Sequence, residues 1–450
     1  MVNSGAPVPV RTERHCLKSA RMHPDTTSSA AIFRNPAGTK GKSRFAAELE
    51  DADRCVHCGM CLPQCPTYVL SRSEGDSPRG RVTLMQGLAQ GPLQPDNPTL
   101  RNHLQGCLGC RSCEVVCPAR VPFGTLIDRT REILTGRSPW SSRARERLFG
   151  PIRNLALRRR GVRRIGAVVA RMARALGIRH VLPRSTRLGR VLRHTAPSLV
   201  AAPRLPTPVP GRAVDVRLFT GCMDAFFTGP DAAAAIELLE KLDLHVDVPI
   251  GQVCCGAIDQ HLGRPVEASA LLQANARAFS PGDTPIVVLD SGCEAQLREH
   301  AGSRWRERVT SLTGYLSRLP LEDFAWHEAP VRIALHLPCT LRNVNRETAA
   351  ITALFRRLPG VEVVAAVPPH NCCGAAGTAM LTQPEIADTL GRETLDALQG
   401  HVPDIIVSPN VGCSVHLRAL QQGASGAPRV LSPARFLCER SRVEGGRRLS

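Results

Sequence analysis

Apolar residues fall in two rhythms along the chain, and the change between them divides it. Residues 1 to about 42 are polar, rich in Ser, Thr, Pro and Arg, and lack apolar periodicity, which predicts a disordered tail. Helical spacing begins at Ser43. The stretch from Arg44 to Glu50 predicts a helical lead-in, Pro78 to Leu88 a helix entered through proline, and Leu100, His103 and Leu104 a short helix. A further helix through Leu126, Ile127 and Ile133 closes this region near residue 140. Between 141 and 210 the apolar residues Leu148, Ile152, Leu155, Leu157, Val162, Ile165, Val168 and Met172 are interleaved with arginines from Arg143 to Arg174. That pattern predicts one or two basic amphipathic helices, followed by a linker marked by Pro183 and by Pro197 through Pro210.

The second half switches to short apolar runs separated by helical segments, and it does so twice. In the first copy Val214 to Thr220 reads as a strand ending at Gly221-Cys222, Asp231 to Leu242 as a helix capped by Asp231, and His245 to Val248 as a strand. Cys254-Cys255-Gly256 follows, then the strand Ile286 to Asp290, ending at Cys293. In the second copy Val331 to His336 ends at Cys339, a helix runs through Ile351 and Leu354, and Val361 to Val364 is a strand. Cys372-Cys373-Gly374 comes next, then a helix from Pro384 to about Leu398 and a strand from Asp404 to Ser408 ending near Cys413. A repeat of this kind predicts two small α/β units whose cysteines lie past the carboxyl ends of their strands, where open α/β sheets place ligands. The expected organisation is a tail (1–42), a helical domain (43–140), a basic connector (141–210) and two α/β repeats (211–325 and 326–445).

Composition changes the picture in three places. A chain of 450 residues with 43% apolar content accommodates several cored domains. No apolar run approaches the ~20 residues needed to span a bilayer, and no secretory apolar segment opens the chain, so a reducing cytoplasm is expected. The net charge of +19 would suit nucleic acid, but only four of the basic residues are Lys and aromatics are 4%. With little to stack bases on, a nucleic-acid partner is not expected, and the charge suits an anionic membrane surface or an acidic partner better.

Most of the 18 cysteines sit in tight motifs. Cys55, Cys58, Cys61 and Cys65-Pro66 form one C-x2-C-x2-C-x3-C-P run, and Cys107, Cys110, Cys113 and Cys117-Pro118 form another. This is the bacterial ferredoxin pattern, in which the fourth cysteine serves the other cluster. The expected ligand sets are therefore Cys55, Cys58, Cys61 and Cys117 for one [4Fe–4S] cluster, and Cys107, Cys110, Cys113 and Cys65 for a second. Paired zinc sites also use C-x2-C but leave the third close cysteine and the proline surplus. The helical connections between the runs predict an α-helical ferredoxin domain. Arg79, Arg81, Arg111 and Arg120 lie near the runs, either tuning the clusters or simply solvated.

The repeats offer two further sets, Cys222, Cys254, Cys255 and Cys293, and Cys339, Cys372, Cys373 and Cys413. An additional iron–sulfur cluster, zinc and no metal at all remain open for them. His416, three residues after Cys413, is either a nitrogen ligand or, as expected, a surface group; Gln296 holds the matching place after Cys293. There is no glycine-rich dinucleotide fingerprint, so neither FAD nor NAD is expected in this chain.

The block Cys55-Val-His-Cys-Gly-Met-Cys-Leu-Pro-Gln-Cys-Pro-Thr-Tyr68, with Ser77-Pro-Arg-Gly-Arg81 and the second cysteine run, resembles the iron–sulfur subunit of bacterial glycolate oxidase (glycolate dehydrogenase). The repeats resemble the cysteine-rich CCG domains of that subunit and of heterodisulfide reductase subunits. The resemblance implies an oxidoreductase complex in which FAD-containing dehydrogenase subunits oxidise the 2-hydroxy acid. This chain would carry the electrons towards quinone, in the cytoplasm or peripherally on the membrane. Related lactate and glycerol-3-phosphate dehydrogenases use similar subunits. A heterodisulfide-reductase-like thiol–disulfide enzyme is the other alternative; Gln296 and His416, standing where the fuller CCG pattern has a last cysteine, count against it.

Overall fold

The computed structural model describes residues 43, 45–136, 150, 155, 158–176, 187–194, 206, 211–223, 229–280 and 282–441; the expected tail, Cys16 and most of the connector lie outside them. The first cysteine-bearing region is built from α1 (Pro66–Ser71), α2 (Pro78–Gln90), α3 (Pro98–Gln105), α4 (Ser112–Val115) and α5 (Phe123–Gly136), with no strand among its described residues. Proline stands at the start of α1, α2 and α3, where its missing N–H costs nothing. Ser77 and Asn97 cap α2 and α3 by accepting from Gly80 N and Leu100 N. Leu49, Met85, Leu88, Leu104, Leu126, Ile127 and Leu134 fill the core between these helices.

Of the connector, α6 (Arg160–Ala175) and α7 (Arg187–His194) are described. Ile165, Val168, Val169 and Met172 on α6 remain exposed, as does Leu176 just beyond it. The shorter α7 docks on the second repeat, where Arg190 forks onto Asp388 at 2.6 and 3.0 Å and donates to Met380 O.

The first repeat contains β1 (Val216–Phe219), α8 (Gly229–Lys241), β2 (Val246–Asp247), α9 (Ala257–His261), α10 (Pro265–Ala278), β3 (Ile286–Val288), α11 (Ser291–His300), α12 (Ser303–Arg308), β4 (Val309–Ser311) and α13 (Leu312–Leu316). The second contains β5 (Val331–His336), α14 (Thr348–Arg356), β6 (Val361–Ala366), α15 (Ala379–Thr382), α16 (Pro384–Gln399), β7 (Ile405–Val407), α17 (Val411–Leu420), β8 (Arg429–Leu431) and α18 (Pro433–Arg440). Both sheets are wholly parallel, in the orders β2-β1-β3-β4 and β6-β5-β7-β8. The order reverses between β1 and β3 and between β5 and β7, which opens a crevice at the carboxyl ends of those strands.

Two features depart from the sequence expectation. Asp231 does not cap its helix: α8 begins at Gly229, and Asp231 is buried in the first turn, where burial raises its carboxyl pKa against the pull of Arg418. The fourth strands β4 and β8, three residues each, were not expected.

The repeats are not separate bodies. The last helix, α18, packs on α8 of the first repeat, and α13 packs on α14 of the second. One apolar core results, running from Leu238 and Leu316 to Leu335, Phe355 and Phe436. Polar contacts join the strand ends across the same boundary: Val411 N donates to Asp290 Oδ2 (2.6 Å) and Asn345 Nδ2 to Glu294 Oε2 (2.6 Å). Glu294 is fully buried, and burial first, then Glu347, pushes its carboxyl well above the usual range. A carboxyl whose folded pKa is raised favours the fold below its unfolded pKa of about 4.3 and loses that contribution as pH rises towards the folded value. Glu294→Gln is therefore expected to raise the melting temperature at pH 8, by roughly 1–3 kcal/mol of stability, with the gain vanishing near pH 4 to 5. Melts across that range check it.

The helical domain is fastened to the first repeat at Gly263. Its φ of +72° is left-handed, and a Cβ there would lie 2.3 Å from the carbonyl carbon of Arg131 on α5. Beside it Thr135 donates to Leu262 O at 3.1 Å. Gly263→Ala is expected to cost about 2 kcal/mol or more and to loosen this junction. Thermal melting and limited proteolysis report both effects.

Candidate metal centres

The two ferredoxin-type runs take the same backbone course. The second and fourth residues after the leading cysteine are left-handed in both: His57 (φ 55°) and Gly59 (84°), then Gly109 (64°) and Arg111 (57°). Such residues turn successive N–H groups towards the concave side of a loop. Gly109 N accordingly points at Cys107 Sγ, 3.4 Å away. Arg111 is held in this conformation by Glu114 (2.7 Å) and by Glu299 of the first repeat (2.6 Å).

Cys55, Cys58, Cys61 and Cys117 line one hollow together with Arg79. Cys65, Cys107, Cys110 and Cys113 line a second, with Thr67 and Arg81. The fourth cysteine of each run thus lies with the first three of the other. Arg79 is partly exposed and pairs with Glu74 at 2.7 Å. Arg81 is 1% exposed, so it is not a solvated residue. It donates to His103 O (2.8 Å) and Thr67 Oγ1 (3.0 Å), and its Nη1 lies 3.9 Å from Cys65 Sγ.

A buried guanidinium requires negative charge nearby. Asp76 lies 3.5 Å from Nη2, and Arg81 also lines the hollow that holds Cys65, Cys107, Cys110 and Cys113. Burial raises the Cys61 thiol to about 11, and burial followed by the charge of Cys339 raises Cys110 to about 12. Neutral thiols give the cation nothing, whereas four thiolates on an iron–sulfur cluster do. The donor sets fit such clusters.

In the repeats the cysteines stand where the strand order reverses. Cys222 follows β1, and Cys293 lies in the first turn of α11, whose cap Asp290 accepts from Gly292 N and Cys293 N at 2.9 Å each. Cys254 and Cys255 follow β2, and Cys255 is hydrogen-bonded to both Cys254 and Cys293. Cys222 joins Cys293 in lining a cavity between the repeats. In the second repeat Cys339, Cys372, Cys373 and Cys413 form an unbroken chain of sulfur contacts. This set abuts the second ferredoxin hollow: Cys339 is the strongest charged neighbour of Cys110, Asn343 Nδ2 donates to Cys110 O at 2.7 Å, and Leu108 packs with Cys372 and Leu390.

Two histidines of the second repeat, His416 and His336, depart from the sequence expectation. His416 is completely buried rather than on the surface. Its Nε2 is 2.9 Å from Ala387 O and its Nδ1 is 3.3 Å from His194 Nε2 on α7, so it serves the docking of the connector. His336, which the sequence reading passed over as the end of a strand, is fully buried beside Cys373 and Cys413, with ligand atoms within 4.8 Å of one another. Burial, then Arg342, lowers its pKa to about 3. Its place three residues before Cys339 was the available signal, since the same place before Cys222 holds Phe219.

Known proteins resemble the chain in both of its cysteine-bearing regions. A family model described as "4Fe-4S dicluster domain" matches residues 51–121, and one described as "Cysteine-rich domain" matches 216–298 and 333–418. The glycolate oxidase iron-sulfur subunit of Escherichia coli (strain K12) is 31% identical over 81% of this chain and 89% of that protein. The probable glycolate oxidase iron-sulfur subunit of Bacillus subtilis (strain 168) is 30% identical over 88% and 96%. Lactate utilization protein A of Geobacillus thermodenitrificans is 27% identical over 50% of this chain. The chain binds [4Fe–4S] and belongs to the family of glycolate oxidase iron–sulfur subunits.

Proposed function

We propose that this chain is the electron-transfer subunit of a glycolate oxidase complex. A partner subunit carrying FAD oxidises glycolate to glyoxylate, taking two electrons and two protons, and the electrons leave singly through this chain towards the quinone pool. Two [4Fe–4S] clusters are assigned, one to Cys55, Cys58, Cys61 and Cys117 and one to Cys107, Cys110, Cys113 and Cys65. When bound they supply one-electron carriage and no acid, base or nucleophile. The protein's part is to hold and bias them: eight sulfurs in two exchanged sets, N–H groups turned towards the sulfurs, and Arg81 favouring the more negative, reduced state of its neighbour.

The observation that carries this reading is the pair of four-sulfur hollows that share the Cys65 and Cys117 exchange. Association with partner subunits is supported by the exposed apolar row on α6, from Ile165 to Met172, within an arginine-rich segment. No described helix is long and apolar enough to cross a membrane, so contact with one would be peripheral. The partial match to a lactate utilization protein favours, as a second reading, a lactate-oxidising complex of the same design.

Anaerobic protein is expected to carry about eight cubane irons with matching sulfide. With its flavoprotein partner, EPR signals of both reduced clusters are expected on adding glycolate. Signals elicited by lactate alone would shift the assignment to the second reading, and colourless, iron-free protein would remove both. Arg81→Gln keeps donors for Thr67 but removes the charge. It is expected to lower the potential of one cluster by on the order of 50–100 mV at unchanged iron content, read by redox titration.

A further inference from the structure

We propose that the second repeat binds one four-coordinate divalent ion, zinc or ferrous iron, through His336 Nε2, Cys373, Cys413 and a sulfur of the adjoining Cys339–Cys372 pair. This goes beyond the two cubane assignments and does not depend on the substrate of the complex. Three observations carry it. The ligand atoms of His336, Cys373 and Cys413 lie within 4.8 Å of one another, and this is the sole such group among the described residues. A tetrahedral ion with bonds of about 2.0–2.3 Å keeps its donors roughly 3.3–3.8 Å apart, so shifts of about 1 Å close the set. The terminal ligands of a cubane stand farther apart, because four irons lie between them.

The second observation is the state of the imidazole. His336 Nδ1 is 2.9 Å from Ser408 Oγ, while its fully buried Nε2 has no hydrogen-bond partner. Buried polar atoms are seldom left unmatched, and a ring whose Nδ1–H is fixed by a hydroxyl presents the Nε2 lone pair, which is how metal-binding histidines are commonly set. The third is the contrast between the repeats. Three residues before Cys222 stands Phe219, and five residues before Cys293 stands Val288, where the second repeat has His336 before Cys339 and Ser408 before Cys413. Phe219 and Val288 pair directly across β1 and β3 and pack in an apolar cluster. The folding frame is the same, yet one repeat puts an imidazole–hydroxyl pair where the other puts hydrocarbon. Packing alone does not require that pair.

The donor set is borderline-soft, of the Cys-rich, single-histidine kind that holds zinc or ferrous iron. Each donor comes from a different element: the end of β5, the loop after β6 and the first turn of α17. A bound ion would pin the switch point of this sheet beside Cys110.

The test compares anaerobic full-length protein with His336→Ala for zinc, iron and labile sulfide, with the EPR of the reduced cubanes as an independent measure of folding. The expected result is the loss of one equivalent of zinc or iron with sulfide and both cubane signals unchanged. Unchanged metal content overturns the proposal, and so does a loss of iron matched by sulfide at intact cubane signals, which would mean a cluster in place of a single ion. Should the cubane signals fall as well, Ser408→Ala decides. It leaves every donor in place and is expected to give up the one ion to a chelator at 10–100-fold lower concentration, whereas wild-type resistance overturns the proposal. Absence of the cubanes from wild-type protein would instead remove the electron-transfer reading, while the one-ion difference at His336 could still be measured.

Discussion

Much of the sulfur in this protein lies in the interior, where burial opposes a bare thiolate. Eight cysteines stand in the helical domain and nine in the α/β repeats, and burial or contact with another sulfur pushes up the thiols of Cys61, Cys110, Cys255 and Cys339. A buried thiolate is stable only beside compensating positive charge. The surroundings are arranged for that charge to come from metal: turned N–H groups at the sulfurs, a buried guanidinium at Cys65 and an unpartnered imidazole nitrogen at Cys373. The rest of the fold serves to bring these groups to one place.

Two architectures meet that demand differently. In the helical domain the loops do it locally, through left-handed residues at fixed offsets from the leading cysteine, and the helices merely carry the loops. In the repeats no loop is sufficient. The sulfurs are delivered from β1, β2 and β3, or from β5, β6 and β7, to the point where the strand order reverses. That point is also where the repeats lock together, through Asp290 and Val411, so the sites and the repeat boundary share one framework.

The first cysteine runs, the helical character of the domain between them and the doubled α/β pattern were legible in the amino-acid order. Each rests on a local rule: metal-ligand spacing, helical period, and apolar runs bounded by turn residues. His336 was not legible. In sequence it reads as the polar end of a strand, and His416, three residues after Cys413, draws attention instead. Tertiary packing seats His416 against Ala387 and His194 of α7, while the parallel pairing of β5 with β7 sets His336 beside Ser408.

What the chain determines by itself is therefore the donor atoms and the local shapes that present them, since both depend on neighbours a few residues apart. What only the tertiary structure decided is which donors meet across distance. That includes the meeting of Cys110 with Cys339, the crossing of α18 onto the first repeat, and the burial of His336 beside Cys373 and Cys413. Contacts between residues tens to hundreds of positions apart are set by sheet order and shared core packing, which no local period encodes.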